Sequence, residues 1–199
     1  MEHAPVAAGT TDHPVRLVVT DDLKRNRLTV FFRVLLAVPH FLWLFLWGVI
    51  TLLAWAVNWF ATLILGRSPD GLHRFIAGFL RYLTHVSAYV QLIADPFPGF
   101  GGKKGYPIDL EVDPPERQNR LTVFFRGILV IPALLMASVL GNVSRLLGIF
   151  SWFIALFTGK VPEGIRNFAA FALRFELQTF AYYMLLTQRY PSFNVGVNA

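Results

Sequence analysis

The octapeptide NRLTVFFR stands at Asn26–Arg33 and returns unchanged at Asn119–Arg126. The offset is 93 residues (119 − 26), and it holds without a gap along the rest of the chain. Pro14 maps to Pro107, Pro39 to Pro132, Trp59 to Trp152, Gly66 to Gly159, Pro69 to Pro162, Arg81 to Arg174, Tyr89 to Tyr182 and Phe100 to Phe193. Self-similarity at a fixed period marks a repeat architecture. The chain divides into one unit over 13–100, a Gly/Lys linker over 101–105, and a second unit over 106–193.

The solvent of these units follows from composition. Of 199 residues, 55% are hydrophobic and only 15% are charged, well below the roughly one quarter charged that soluble domains carry. Between Val34 and Leu65 nothing is charged apart from a possible proton on His40, and about 20 apolar residues suffice to span hydrocarbon. At least one membrane crossing is therefore expected. The net charge of +6 would suggest nucleic acid in a soluble protein; beside apolar segments it points to anionic lipid headgroups instead, and no nucleic-acid partner is expected. Cysteine is absent, which excludes disulfides, thiolate metal sites and thiol nucleophiles. The polar segment from Met1 to Asn26 lacks the apolar core of a cleavable signal peptide.

Each unit opens on an alternating stretch, Val15-Leu17-Val19 or Ile108-Leu110-Val112, with the period of a half-buried strand; an extended arm is the alternative. Helix starts are expected at Thr20 and Asp113, the second with Pro114 and Glu116 in capping-box positions. Pro39 and Pro132 should then kink or end the helix. Phe41 to Leu65 provides 25 uncharged residues, about 37 Å of helix and long enough to span. Its counterpart, Leu134 to Phe157, is interrupted by Arg145. Matched turns at 66–71 and 159–164 launch a further helix, Leu72 to Ala94 or Ile165 to Thr187. These last helices either cross or lie in the interface, and the long uncharged run of Tyr82 to Ala94 favours crossing.

The expected fold class is thus all-α integral membrane: two tandem kinked helical-hairpin repeats, about four transmembrane helices, with short cytoplasmic strands. Two crossings per copy relate the copies by an axis along the membrane normal. Eleven basic residues lie in the ends, linker and helix starts (Arg16, Lys24, Arg25, Arg27, Arg33, Lys103, Lys104, Arg117, Arg120, Arg126 and Arg189), against Arg67, Arg74, Lys160 and Arg166 in the hairpin turns. The excess places termini and linker in the cytoplasm.

The paired opening strands, the NRLTVFFR stretch running into a proline, the Gly-basic-x-Pro-acidic-Gly turn and the closing Arg-aromatic, Tyr and Pro-x-Phe positions resemble a bacterial membrane family named domain of unknown function 4389. The resemblance covers nearly the whole chain as two tandem units. It implies a multi-pass protein of the bacterial plasma (inner) membrane and carries no established activity. One departure is Ala133 where the first copy has His40 after proline, so an essential role for that histidine does not follow.

Candidate functional residues are few. The histidines show no metal-ligand spacing, no Gly-rich phosphate loop or nucleophile elbow is present, and neither enzyme activity nor a metal or cofactor is expected. Arg81 and Arg174 recur inside helices, where a charge is costly unless it snorkels, finds a carbonyl, or contacts a headgroup or acidic ligand. Arg33 and Arg126 are expected to anchor the first helix at lipid phosphates. Trp43, Trp47, Trp55 and Trp59 cluster on one face and offer a docking surface for another membrane protein. Arg145 and Glu176, both leucine in the first copy (Leu52 and Leu83), lie at matching depth about the turn and predict an intramembrane ion pair. Two functions remain in view: an accessory or scaffold subunit of a larger bacterial membrane assembly, with lipids and other integral membrane proteins as partners, or a lipid or small-molecule binding or transport protein using the groove between repeats.

Overall fold

A computed structural model describes residues 13–193. The first unit contains β1 (Val15–Val19), α1 (Arg27–Leu65) and α2 (Asp70–Val90); the second contains β2 (Ile108–Val112), α3 (Arg120–Phe124), α4 (Arg126–Leu129), α5 (Ile131–Thr158) and α6 (Glu163–Tyr183). The chain is mostly helical, with one two-stranded sheet.

The helices start later than Thr20 and Asp113. Asn26 and Asn119 cap them, each side-chain oxygen accepting from the backbone N–H two residues on, at Leu28 and Leu121. Both apolar helices end on a left-handed glycine, Gly66 (φ 76°) and Gly159 (φ 72°), the conformation only glycine adopts without steric cost. The prolines act differently in the two copies. α1 runs unbroken through Pro39, whereas the second copy breaks at Phe125 and Val130 and restarts with Pro132 in the first turn of α5, where its missing N–H is not needed.

The two copies exchange contacts. Arg25 N–H donates to the Gly159 carbonyl (2.9 Å) and Gln118 N–H, its counterpart, to the Gly66 carbonyl (2.8 Å). Trp59 Nε1 donates to Val123 O (3.1 Å), and Trp152 Nε1 to Val30 O (2.8 Å). The antiparallel strands pair about Leu17↔Leu110, themselves equivalent positions, with Val15 opposite Val112 and Val19 opposite Ile108. Each contact recurs with the copies swapped, which requires a two-fold axis. For an antiparallel strand pair that axis is normal to the sheet.

This symmetry sets the level of each helix end. Equivalent residues stand at one height along a two-fold axis, so Arg25 matches Gln118 and Gly66 matches Gly159. Gln118 is bonded to Gly66; therefore Arg25 and Gly66, the two ends of α1, share that height as well. Long helix α1 begins and ends at one level, running across the axis. The bridges Lys24↔Lys160 and Arg67↔Arg117 say the same: bases assigned to opposite sides of a membrane by the count above are neighbours. That division into cytoplasmic ends and far-side turns is corrected accordingly, because charge asymmetry orients a chain only if the segments between the charges cross.

Perpendicular to the axis the molecule has three layers. The sheet packs on α2 and α6, and these pack on α1 and α5. Val15, Leu17, Ile108 and Leu110 point inward onto Ile76, Leu80, Leu173 and Leu177, with Leu44, Trp47 and Ala54 of α1 packed against the same core. Neither α2 nor α6 presents an apolar face outward. From Phe75 to Val90 and from Ile165 to Tyr183 no residue is exposed. Among the described residues two helical stretches, Arg27–Leu65 and Arg126–Thr158, are long and apolar enough to cross a membrane, so four crossings are not supported.

Candidate functional sites

Two arginine staples lie at matched positions. Arg33 is 1% exposed; its Nη1 donates to the carbonyls of Tyr89 (2.7 Å) and Ala94 (3.0 Å) and its Nη2 to Asp95 (2.8 Å). Arg126, equally buried, donates to Tyr182 O (3.1 Å), Thr187 O (2.8 Å) and Gln118 Oε1 (2.7 Å). Each guanidinium also lies over a tyrosine ring, Tyr89 at 4.4 Å and Tyr182 at 4.1 Å. The expectation that Arg33 and Arg126 reach lipid phosphates is corrected: both turn inward to satisfy the orphan carbonyls that close α2 and α6. Those closures need the help, since each contains a left-handed leucine, Leu92 (φ 61°) and Leu185 (φ 65°), a conformation that costs about 1–2 kcal/mol without glycine. Arg25 Nε and Gln118 Nε2, again equivalent, donate to the carbonyls of Leu92 and Leu185.

The tryptophans do not form a shared docking face. Trp47 packs among Phe75, Phe79 and Tyr82. Trp55 Nε1 bonds Tyr183 O (3.2 Å), Trp59 bonds Val123 O, and Trp43, the most exposed of them, bonds Phe100 O (3.1 Å). They fasten α1 to the layer above it, and the docking role is withdrawn. Arg145 and Glu176 approach without making an ion pair: Arg145 Nη1 bonds Asn142 Oδ1 (2.9 Å). Burial raises the Glu176 carboxyl above its usual range, and the Arg145 charge works against that rise.

The first copy's Arg81 lies in a closed triad. Asp109 reaches Arg81 Nε (3.3 Å) and His85 Nε2 (3.0 Å), while Arg81 Nε also donates to Leu110 O (3.0 Å). Burial holds His85 below the ordinary imidazole value, against the opposing pull of Asp109. Arg174 is 5% exposed and meets no such carboxylate among the described residues. His40 is hydrogen-bonded to Tyr82 Oη (2.6 Å) and stacked on Phe100 (4.4 Å); the equivalents of His40 and Tyr82 in the second copy are Ala133 and Phe175. That packing unit was invisible in sequence because its members are 42 residues apart.

A family profile described as Domain of unknown function (DUF4389) matches residues 27–100 and again 120–194, well over half of the chain. The chain belongs to the DUF4389 family. It carries two tandem copies of the DUF4389 unit, and the two matches begin at the two asparagine-capped helices. No curated protein and no solved structure matches this DUF4389 chain. Its strands lie outside the matched segments, so the sheet that joins the copies is built from residues preceding each match.

Proposed function

We propose that this DUF4389 chain is a non-catalytic accessory protein of a bacterial plasma membrane that lies within one leaflet rather than across the bilayer. One observation carries the reading: α1 starts and ends at a single level along the pseudo-two-fold axis, while its outward face is apolar throughout. Only 17% of its most apolar stretch is buried, and 28% of that in Arg126–Thr158. A core helix of a soluble protein would be covered, and faces this large are untenable in water. With the membrane normal along the axis, α1 and α5 lie in the acyl region and α2 and α6 at headgroup level. The sheet, with Arg16, Glu111 and Asp113 joined across its outer side, then meets water.

Residues of both units pack together in one core, which supports the accessory reading over a transport groove between repeats. The accessory role rests on a sequence without a catalytic set and on a fold that spends most of its residues on packing and lipid contact.

Single cysteines at Lys24, Arg67, Lys103 and Lys160, in a chain with no native cysteine, test the geometry. All four should respond alike to an impermeant maleimide on intact cells, and alike again on inverted vesicles. Labelling of Arg67 and Lys160 from one side, with Lys24 and Lys103 from the other, would restore the hairpin-crossing arrangement. The accessory role further expects a stoichiometric membrane partner in lipid nanodiscs prepared without detergent; particles holding only this chain and lipid would refute it.

A further inference from the structure

The two copies differ at the charged triad, and the difference leaves a vacancy for charge. On the first copy's α2, Arg81 and His85 are met by Asp109 of the second copy's β2, which neutralises the one and bonds the other. The residues at equivalent positions are Arg16, Arg174 and Gln178. A base thus stands where the carboxylate stood. Arg16 turns to the outer face of the sheet, bonding Asp113 (2.7 Å) and approaching Glu111 (3.6 Å). Gln178 is used up on Val15 O (3.0 Å) and Ser192 N (3.1 Å).

Arg174 is left within the fold with Nε and Nη2 both buried and without an acceptor among the described residues. It does not take the Leu17 carbonyl, the equivalent of the Leu110 carbonyl that Arg81 uses. Its ring neighbour is Phe171, at 5.5 Å. Arg25, Arg33 and Arg126, buried to a similar degree, each donate to at least three oxygens. A second unanswered polar group lies close by. His13 is 8% exposed; its Nδ1 lies 3.1 Å from both the N–H and the carbonyl oxygen of Val15, and its buried Nε2 has no hydrogen-bond partner among the described residues. The charges of Arg174 and Arg189 both act on this imidazole.

Nε and Nη2 form one edge of a guanidinium, the fork that holds two oxygens of a carboxylate or phosphate. A buried guanidinium edge without an acceptor is expensive, and the Arg81 site displays the remedy in Asp109. We propose that Arg174, with His13, forms an oxyanion-binding site of the phosphate class, filled by a phosphodiester headgroup or by free phosphate. Two oxygens meet the Arg174 edge and a third faces His13 Nε2, which donates to it once the bound anion draws a proton onto that nitrogen. The site goes beyond the in-plane reading and stands whether or not that reading holds, since neither residue is on α1 or α5.

The test uses the full chain in neutral, lipid-depleted detergent, with sodium phosphate compared against sodium chloride at matched ionic strength. At about ten times its dissociation constant, phosphate should raise the unfolding midpoint by roughly 3–6 °C. Arg174→Gln should lose that rise and Arg81→Gln should keep it. Arg16→Asp, which places beside Arg174 the carboxylate that Asp109 supplies to Arg81 while leaving Arg174 itself unchanged, should abolish the response even if Arg174→Gln fails to fold. A second arm, native mass spectrometry of gently extracted protein, should find one retained phospholipid that Arg174→Gln loses if the headgroup is the source. A phosphate rise without lipid retention assigns free phosphate; retention without a phosphate rise assigns the headgroup. An equal phosphate response in wild type and Arg16→Asp, or neither response nor retention, overturns the proposal.

Discussion

Replacing Arg126 by leucine is expected to lower the unfolding midpoint in mild detergent by on the order of 10 °C. The substitution removes the donor to two buried carbonyls, Tyr182 and Thr187, and to Gln118. Each buried acceptor left without a donor costs about 1–3 kcal/mol, and breaking a buried charged contact costs about 3–5 kcal/mol. In a chain of this length about 1 kcal/mol moves the midpoint by roughly 2–4 °C. Lysine should recover less than half of the loss, because a point ammonium cannot serve three oxygens in one plane while lying over the Tyr182 ring. A loss no greater than that of an ordinary surface change, about 0.5 kcal/mol, would mean that the carbonyls are satisfied in another way. Were Arg126 a lipid anchor, the loss would instead depend on anionic lipid and vanish in detergent.

The second large effect concerns where the chain resides. Leu42, Leu46 and Leu53 lie on the outer side of α1, at 65%, 55% and 65% exposure. Changing all three to glutamate should leave the fold intact in detergent and release the protein from liposomes in flotation. A carboxylate held at acyl depth costs about 2.5–3.5 kcal/mol, and in a helix lying along the leaflet all three sit at one depth, so the penalties accumulate to roughly 7–10 kcal/mol. Undiminished flotation of the folded triple variant would show that this face does not meet lipid.

Much of this was legible from residues alone, and the losses have specific causes. The 93-residue offset gave the repeat, and period-two alternation located both strands to the residue. What no single-copy pattern could reveal is that β1 pairs with β2 rather than with a neighbour in its own unit. Missing that pairing led to the hairpin picture, because exchange of contacts is what brings Gly66 beside Gln118. Uncharged length alone does not separate the arrangements: 25 residues without charge satisfy the requirement for a span and equally that for the long helix lying in a leaflet proposed above. A signal against spanning was nonetheless present. Arg33, His40, Thr51, Asn58 and Thr62, all buried, fall at successive spacings of seven, eleven, seven and four, which keep them along one side of α1 as a polar stripe from its first turns to its last. At the arginines the reading failed because a base at the start of an apolar helix has two outlets, water and a neighbouring helix end, and only coordinates distinguish them.

The exchanged hydrogen bonds have one more implication. Arg25 to Gly159, Gln118 to Gly66 and the strand pairing are indifferent to whether their two sides belong to one polypeptide. A chain with a single unit would find every one of these partners in a second molecule and close the same figure as a symmetric homodimer. In the tandem protein the Gly/Lys linker serves as a tether, raising the effective concentration of one half around the other to the millimolar range. Fusion also frees the halves to diverge. Asp109 and Arg16, His40 and Ala133, Leu52 and Arg145 are pairs that an exact homodimer would be obliged to keep identical, and the covalent join is what permits one half to specialise while its twin conserves the frame.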